Sequence, residues 1–448
     1  MFNPRWMALL PGYCFVAFAI TTSARGADGT VAGSGTGGEL TRYVIADYGA
    51  VADGTAVNTR AIQGVIDQCA AKGGGVIVVP KGTFVTGSIF LKPGVNLEVE
   101  EGGVLKGSQN EGDYPWINTR IAGLEMKWPA ALVNADHVDG LRLSGSGTID
   151  GSGSPWWQRY WAARAAEPDH LDPHFKVPRP RLIHIINCKN VMVRDLMLKD
   201  SAFWNLQITY CDGVEVHGLR VRAPHEPVKS PSTDGIDIDS TRNVLIEGCD
   251  IICNDDAICL KSGRDADGLR VNRPTENVEV RNCHAGFSGG LVVIGSETSG
   301  GVRHVRVENC TADGGCLAVA RFKTLMGRGG VVEDIVYDNI QADGVRSFVD
   351  FNMNALSKTW LPPEFRTPAP ADKGTPVMRD ITIENVTVKN AQQAGAIVGL
   401  AVSPLTNISL INDSVQAGKG FRIGQTRGLV FKNVTVNGAG VEVKGDNE

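Results

Sequence analysis

Two short aspartate motifs stand one above the other in spacing: Ser232-Thr233-Asp234-Gly235-Ile236-Asp237, then Asn254-Asp255-Asp256-Ala257-Ile258-Cys259-Leu260-Lys261-Ser262-Gly263, with 21 residues from Asp234 to Asp255. That interval is about one turn of a chain coiled into stacked β-rungs, whose neighbours lie about 4.8 Å apart. Such a coil brings Asp234, Asp255 and Asp256 onto one face. Carboxylates held that close do not all ionise freely, and their pKa values are driven apart. A proton donor beside carboxylates that can activate water is the equipment for breaking a glycosidic bond. A lone Asp-Gly or Asn-Asp pair would read as a turn. Asp237 and Asp239, alternating with Ile236 and Ile238, read simply as outward-pointing positions. Three aspartates one coil apart, followed by Lys261-Ser262-Gly263, read as a catalytic cluster.

A second pair of residues suits the same chemistry. In Arg321-Phe322-Lys323-Thr324 the two cations are i and i+2 and share one face of a strand. Arg grips a carboxylate with two parallel hydrogen bonds. Two cations on one face therefore fit a sugar that carries a carboxylate, and Arg321, Lys323 and Lys261 are the candidate substrate-binding residues. His225, His284 and His304 lie near in sequence, but none has metal-ligand spacing, and His304 occupies a repeat position that reads as structural. No metal or other cofactor is expected.

The elements that must position these residues form a weak repeat: Asn, Asp or Gly, then apolar, any, apolar. It appears as Asn190-Val191-Met192-Val193, Gly213-Val214-Glu215-Val216, Asn243-Val244-Leu245-Ile246, Asn277-Val278-Glu279-Val280 and His304-Val305-Arg306-Val307, and runs on through Asp334, Asp380, Asn407 and Gly428. From Val191 to Ile335 the first apolar position recurs after 23, 30, 34, 27 and 30 residues. Alternation argues strands with one buried face. An uneven but persistent period argues coils with loops of varying length, a parallel β-helix; the runner-up is a β-sandwich or a propeller, the latter calling for a longer and steadier period. Ahead of it, Ala61, Ile62, Val65, Ile66 and Cys69 have helical spacing after an Asn58 or Thr59 cap, ended by Gly73-Gly74-Gly75. Short strands are predicted over 76–79, 83–85, 89–91 and 97–99. The fold class is thus all-β, a single-stranded parallel β-helix with a short N-terminal capping helix. Two insertions, 152–180 with Trp156, Trp157 and Trp161, and 355–376 with Trp360, are natural walls for a substrate groove. Their tryptophans are candidates either to stack on sugar rings or to anchor the loops.

Composition agrees. The chain has 448 residues, 42% hydrophobic and 21% charged, with 54 Gly and 6% aromatics. That mix suits tight turns and stacked strands. A net charge of −5 without a long basic run speaks against nucleic-acid or anionic-membrane partners. Arg5, the apolar stretch to Ile20 and the small residues after it predict a signal peptide over 1–26. A Gly-rich linker over 27–40 and one domain over 41–448 follow, with a secreted or periplasmic monomer that keeps no membrane attachment once the signal is cleaved. Ten cysteines show no zinc pattern. Asn187-Cys188, Asn282-Cys283 and Asn309-Cys310 read as thiols stacked at one corner, and a Cys253–Cys259 disulfide is open.

Taken together the motifs resemble the family 28 glycoside hydrolases, the polygalacturonase family of right-handed parallel β-helices. Matching elements include Gly147-Thr148-Ile149-Asp150-Gly151, Ser201-Ala202-Phe203-Trp204, both aspartate motifs, Ile294-Gly295-Ser296-Glu297 and Arg321-Phe322-Lys323-Thr324. The resemblance implies inverting hydrolysis of α-linked galacturonate in pectic polysaccharide. Asp255 would be the general acid, and Asp234 and Asp256 would activate water. Loops closing one end of the groove would make the action exo. Three departures bear on the substrate. Ser232 replaces the Asn of the usual Asn-Thr-Asp, Gln207 replaces a His after the Phe-Trp motif, and Gly289 stands where the His of Gly-His-Gly belongs. Rhamnogalacturonan joins polygalacturonan as a candidate polymer.

Two other functions fit the same solenoid. A lyase would bind calcium at Asp234, Asp255 and Asp256 and use Arg321 or Lys323 as base, giving unsaturated products and sensitivity to chelator. A non-catalytic glycan-binding β-helix would form no product from any pectin.

Overall fold

The computed structural model describes residues 40–166, 173–354 and 369–442. The predicted signal peptide, nearly all of the linker, and Trp360 with Pro362, Pro363 and Pro368 lie outside the described residues. Three long sheets run the length of the molecule, two of 14 strands and one of 11, and from Ile89–Leu91 to Phe421–Gly424 the chain visits them in rotation. One coil shows the pattern. Ile236–Asp239 lies in the 11-stranded third sheet, Arg242–Glu247 in the first sheet and Asp250–Ile252 in the second, before Ile258–Lys261 returns to the third sheet one rung on. Within these three sheets every pairing is parallel except at the end, where Thr435–Val436 and Ala439–Gly440 pair antiparallel. This is the parallel β-helix that the repeat predicts.

The repeat is the first sheet. Val191, Val214, Val244, Val278, Val305, Ile335, Ile381 and Ile408 stand in unbroken register, one per coil. All are buried in one core, each worth about 1.5–3 kcal/mol of transfer free energy. The residue that opens each repeat has left-handed backbone, with φ of 55° at Asn190, 58° at Asn243 and 57° at Asn277. Asn, Asp and Gly tolerate that conformation best, which explains the choice. Their side chains also form a ladder: Asn277 Nδ2 donates to Asn243 Oδ1 at 3.0 Å.

The predicted helix spans Thr59–Ala71 and buries Ile62, Val65, Ile66 and Cys69 over the N-terminal end of the core. Asn58 precedes it but makes no side-chain cap. Its amide instead staples the loop before the helix, with Oδ1 accepting from Val51 N at 2.7 Å. The predicted short strands appear as Gly75–Val79, Gly82–Thr86, Ile89–Leu91 and Val95–Val99.

The cysteines correct the reading of a single corner. Cys188 and Cys211 sit where the chain passes from the third sheet to the first, whereas Cys249, Cys283 and Cys310 sit between the first and second. Cys188 N donates to Cys211 Sγ at 3.4 Å, and Cys283 N to Cys310 Sγ at 3.4 Å. There is no Cys253–Cys259 disulfide. Both thiols are free and buried, and they point to different acceptors, Cys253 to Asp255 O and Cys259 to Asp256 Oδ2.

Candidate active site

The third sheet builds the site. Ile236 and Ile258 pair in register and anchor their strands in the core. Asp234 and Asp256 each precede that anchor by two residues, so they occupy equivalent positions on neighbouring coils, with Asp255 beside them. Gly235 N donates to Asp256 O at 2.9 Å and ties the two turns together. Oxygens of Asp234, Asp255 and Asp256 come within 4.8 Å of one another. They line a cavity of about 210 Å³ with His174, Trp204, Ser232, Lys261, Glu297 and Lys323.

Cations are distributed unequally among the three carboxylates. Lys323 Nζ lies 2.6 Å from Asp256 Oδ2, and Arg321 Nη1 3.6 Å from Asp256 Oδ1. Burial works to raise the Asp256 pKa, but these two cations outweigh it and hold the carboxyl below its ordinary range. Asp255 has no such partner. Burial first, then the charges of Asp234 and Asp256, push it up to about 8. Lys261 Nζ is shared between Asp234 Oδ2 at 3.1 Å and Asp237 Oδ1 at 2.7 Å, and lies 3.9 Å from the centre of the Trp204 ring. One ammonium between two buried carboxylates leaves Asp234 raised by burial and by Asp237, and Asp237 raised to about 6. Asp234 Oδ1 and Asp256 Oδ1 accept no hydrogen bond from the described residues.

The six residues singled out from the sequence therefore converge, though in different settings. Arg321, on Ala318–Lys323, also donates to Gly289 O at 3.0 Å and approaches Asp350 at 3.3 Å. Lys261 lies almost wholly buried between Asp234 and Asp237, so its proton donors face the aspartates. Asp237 and Asp239 correct their reading as plain outward positions. They do leave the coil interior, but both are fully covered, Asp237 against Lys261 and Asp239 against Arg120 at 3.4 Å. Arg120 comes from the hairpin of Trp116–Ile121 with Leu124–Pro129, which the sequence reading did not identify.

The insertions also resolve. Ser154–Ala166 is a helix whose Trp156 and Trp157 are buried, with Trp157 Nε1 donating to Ser201 O at 3.0 Å. Both tryptophans are anchors rather than sugar platforms. Trp161 is part-exposed and is tethered to Lys229 O at 2.7 Å. The same insertion delivers His174, which sequence reasoning missed. Its Nε2 lies 3.2 Å from Ser232 Oγ and its Nδ1 2.7 Å from Arg179 Nη2. No period or motif marks that histidine; only its place in an insertion near Trp residues hinted at it. His225 packs on Phe287, and His284 and His304 sit against Asp313 and Asp334, away from the cavity. Gln207 is buried under the site and accepts from Arg181. Gly289 does lie against the aspartates: a Cβ there would come 2.5 Å from Asp256 Oδ1 and 3.0 Å from Asp256 N.

By distance alone Asp234, Asp255 and Asp256 could take a cation. The charge balance opposes it, because Lys261 and Lys323 already face Asp234 and Asp256 and would repel a divalent ion. What the arrangement can do is hold one protonated carboxyl beside one firmly ionised carboxylate.

Residues 69–420 match the model of the glycosyl hydrolases family 28. A probable polygalacturonase of Vitis vinifera is 29% identical over 387 residues, covering 83% of this chain and 73% of its own length. An exo-poly-alpha-D-galacturonosidase of Dickeya chrysanthemi is 26% identical, and the match spans 66% of this chain but only 54% of that relative. Among solved structures, a hyperthermoactive exopolygalacturonase from Thermotoga maritima superposes with a TM-score of 0.79 at 26% identity, covering 91% of this chain and 96% of that one. The coil is the right-handed parallel β-helix of such structures.

Proposed function

We propose that this chain, which belongs to glycosyl hydrolase family 28, hydrolyses α-linked galacturonate bonds in pectic polysaccharide. The observation that carries the reading is the split within the aspartate cluster. Asp255 is pushed up to about 8 and keeps its proton at neutral pH, while Lys323 and Arg321 keep Asp256 ionised. Asp255 then protonates the leaving oxygen. Asp234 and Asp256, each with one oxygen fixed by a lysine and the other without a hydrogen bond from the described residues, hold and activate the water. The galacturonate carboxylate is met by Arg321 and Lys323, which line the exit from the cluster.

The attack is read as inverting. The short separation of the carboxyl groups would by itself suit retention. Against that, no carboxylate of the three is a free nucleophile, since Asp234 and Asp256 are clamped and Asp255 is protonated. Action from one chain end is favoured because, on the N-terminal side of the aspartates, Pro173–Phe175 carries His174 into the cavity lining and the hairpin turn at Gly123 packs against Glu297, which also lines it. Relatives named exo-acting, from Dickeya chrysanthemi and Thermotoga maritima, support it. Secretion or periplasmic residence of a monomer is proposed from the Arg5–Ala27 pattern and the polymeric substrate.

The test is to incubate the protein and its Asp255→Asn variant with polygalacturonan and with rhamnogalacturonan and to identify released ends by mass spectrometry. Saturated monosaccharide or short product from the wild type alone supports the reading. Unsaturated ends would replace it with a lyase, and early release of long oligomers would refute action from one chain end.

A further inference from the structure

The N-terminal wall of the catalytic cavity holds a chain of hydrogen-bond donors that the proposed acid–base chemistry does not use. It begins at Arg179, fully buried, whose Cζ lies 4.6 Å from the centre of the Tyr160 ring and 4.5 Å from that of Phe203. Arg179 Nη1 donates to Ala202 O at 3.1 Å and to Pro231 O at 2.6 Å, and Nη2 meets His174 Nδ1 at 2.7 Å. A guanidinium only donates. His174 Nδ1 therefore accepts, and the neutral ring carries its proton on Nε2. That proton faces Ser232 Oγ, 3.2 Å away. With one lone pair of Ser232 taken up by His174, the hydroxyl hydrogen of Ser232 is left to donate onward.

Ser232 lines the cavity, as do His174 and Trp204, so the last donor of the chain is presented there. The turn that carries it is held on both sides. Arg179 grips Pro231 O, and Asn254 N donates to Thr233 Oγ1 at 3.1 Å. Ser232 itself has left-handed backbone, with φ of 54°. Asn, which the family pattern has at this position, suits that backbone better, so the backbone does not account for the serine. The shorter side chain does leave room for the imidazole that stands against it.

Trp204 precedes Leu206 by two residues, as Asp234 precedes Ile236, and Leu206 pairs with Ile236. Trp204 is thus one coil before Asp234. Arg321 and Lys323 lie on Ala318–Lys323, two coils beyond Ile258–Lys261. The wall of Trp204, Ser232 and His174 and the pair of cations flank the aspartates from opposite sides, and a glycosidic bond held at Asp255 has one sugar on each.

We infer that Ser232 is a substrate-binding residue that donates to an oxygen of the sugar on the N-terminal side, and that His174 is the positioning residue that sets the direction of its hydroxyl. The inference rests on the pectic reading above and concerns the sugar across the bond from the one met by Arg321 and Lys323.

The test uses the whole protein. Binding of digalacturonate, one sugar for each side, is titrated calorimetrically in the Asp255→Asn background, and kcat and KM on polygalacturonan are measured without that change. Ser232→Ala removes only the hydroxyl. His174→Phe keeps a ring beside Phe203 and Tyr160 but neither nitrogen. One neutral hydrogen bond contributes about three- to tenfold. Each substitution should weaken binding and lower kcat/KM by that factor. Together they should do no worse than Ser232→Ala alone, because His174 acts through Ser232. His174→Gln, whose amide offers one acceptor and one donor group, should recover most of the loss. Losses that multiply in the double variant would overturn the relay, as would a Gln variant no better than the Phe variant. Digalacturonate affinity within twofold of the parent in Ser232→Ala would overturn the subsite, whether or not His174→Phe folds. Failure of the pectic reading shows separately, as absence of product from the wild type on polygalacturonan.

Discussion

Replacing Asp255 by Asn should make the protein more stable and nearly inactive at once, with a pH signature that ties both effects to one carboxyl. Its pKa stands at about 8 against an ordinary 3.8, chiefly because burial opposes the charged form. The sign follows from linkage. A carboxyl whose pKa is raised on folding favours the native state fully below pH 3.8, and that contribution is lost between there and about pH 8. At pH 7 the full difference would be about 4 kcal/mol against the native state. Asp255 is only partly buried and shares its shift with Asp234 and Asp256, so about 2 kcal/mol is the working figure. Asn is close in shape and never ionises, so the variant should gain about 2 kcal/mol at pH 7, and nothing near pH 3. The assay is denaturant unfolding of both proteins from pH 3 to pH 8, beside kcat on polygalacturonan. Activity should fall by about 10²–10⁴, the usual weight of a positioned acid. In the wild type the basic limb of the kcat/KM profile should lie near pH 8. A variant equally stable at both pH values, or a wild type whose activity holds its maximum well above pH 8, would refute the account of Asp255.

Three other outcomes follow from the same geometry. Lys323→Gln removes the cation 2.6 Å from Asp256, so burial should then raise that carboxyl. The acid limb of the rate profile should move up in pH, and stability should drop by about 3 kcal/mol at neutral pH. The drop should vanish at low pH, because a depressed carboxyl stabilises only above its own native pKa; an unmoved acid limb would exclude Asp256 as the base. Gly289→Ala puts a methyl 2.5 Å from Asp256 Oδ1, and kcat should fall at least tenfold with KM little changed; wild-type kcat would show that the contact relaxes freely. Proton NMR of the first product formed should show the β-anomer, and first appearance of the α-anomer would mean retention.

Much of this was legible because a solenoid writes its period into the chain. The left-handed Asn, Asp or Gly, replaced once by His304, and the two inward apolar residues after it recur along the solenoid, so the first sheet and the stacking of Asp234 on Asp256 could be read from spacing. What hides in sequence is whatever comes from outside the repeat. The hairpin of Trp116–Pro129 and the helix of Ser154–Ala166 are single insertions with no second copy to compare. The hairpin brings Arg120 onto Asp239, and Pro173–Phe175, in the same insertion as the helix, brings His174 to Ser232. The same limit applies to charge. Alternation placed Asp237 outward, and only the neighbours around Lys261 reveal that its ammonium is divided between Asp237 and Asp234. Spacing likewise placed Asp255 and Asp256 together but could not say which would keep a proton. That depends on Lys323, 67 residues on, which the register of the third sheet carries to one aspartate and not the other.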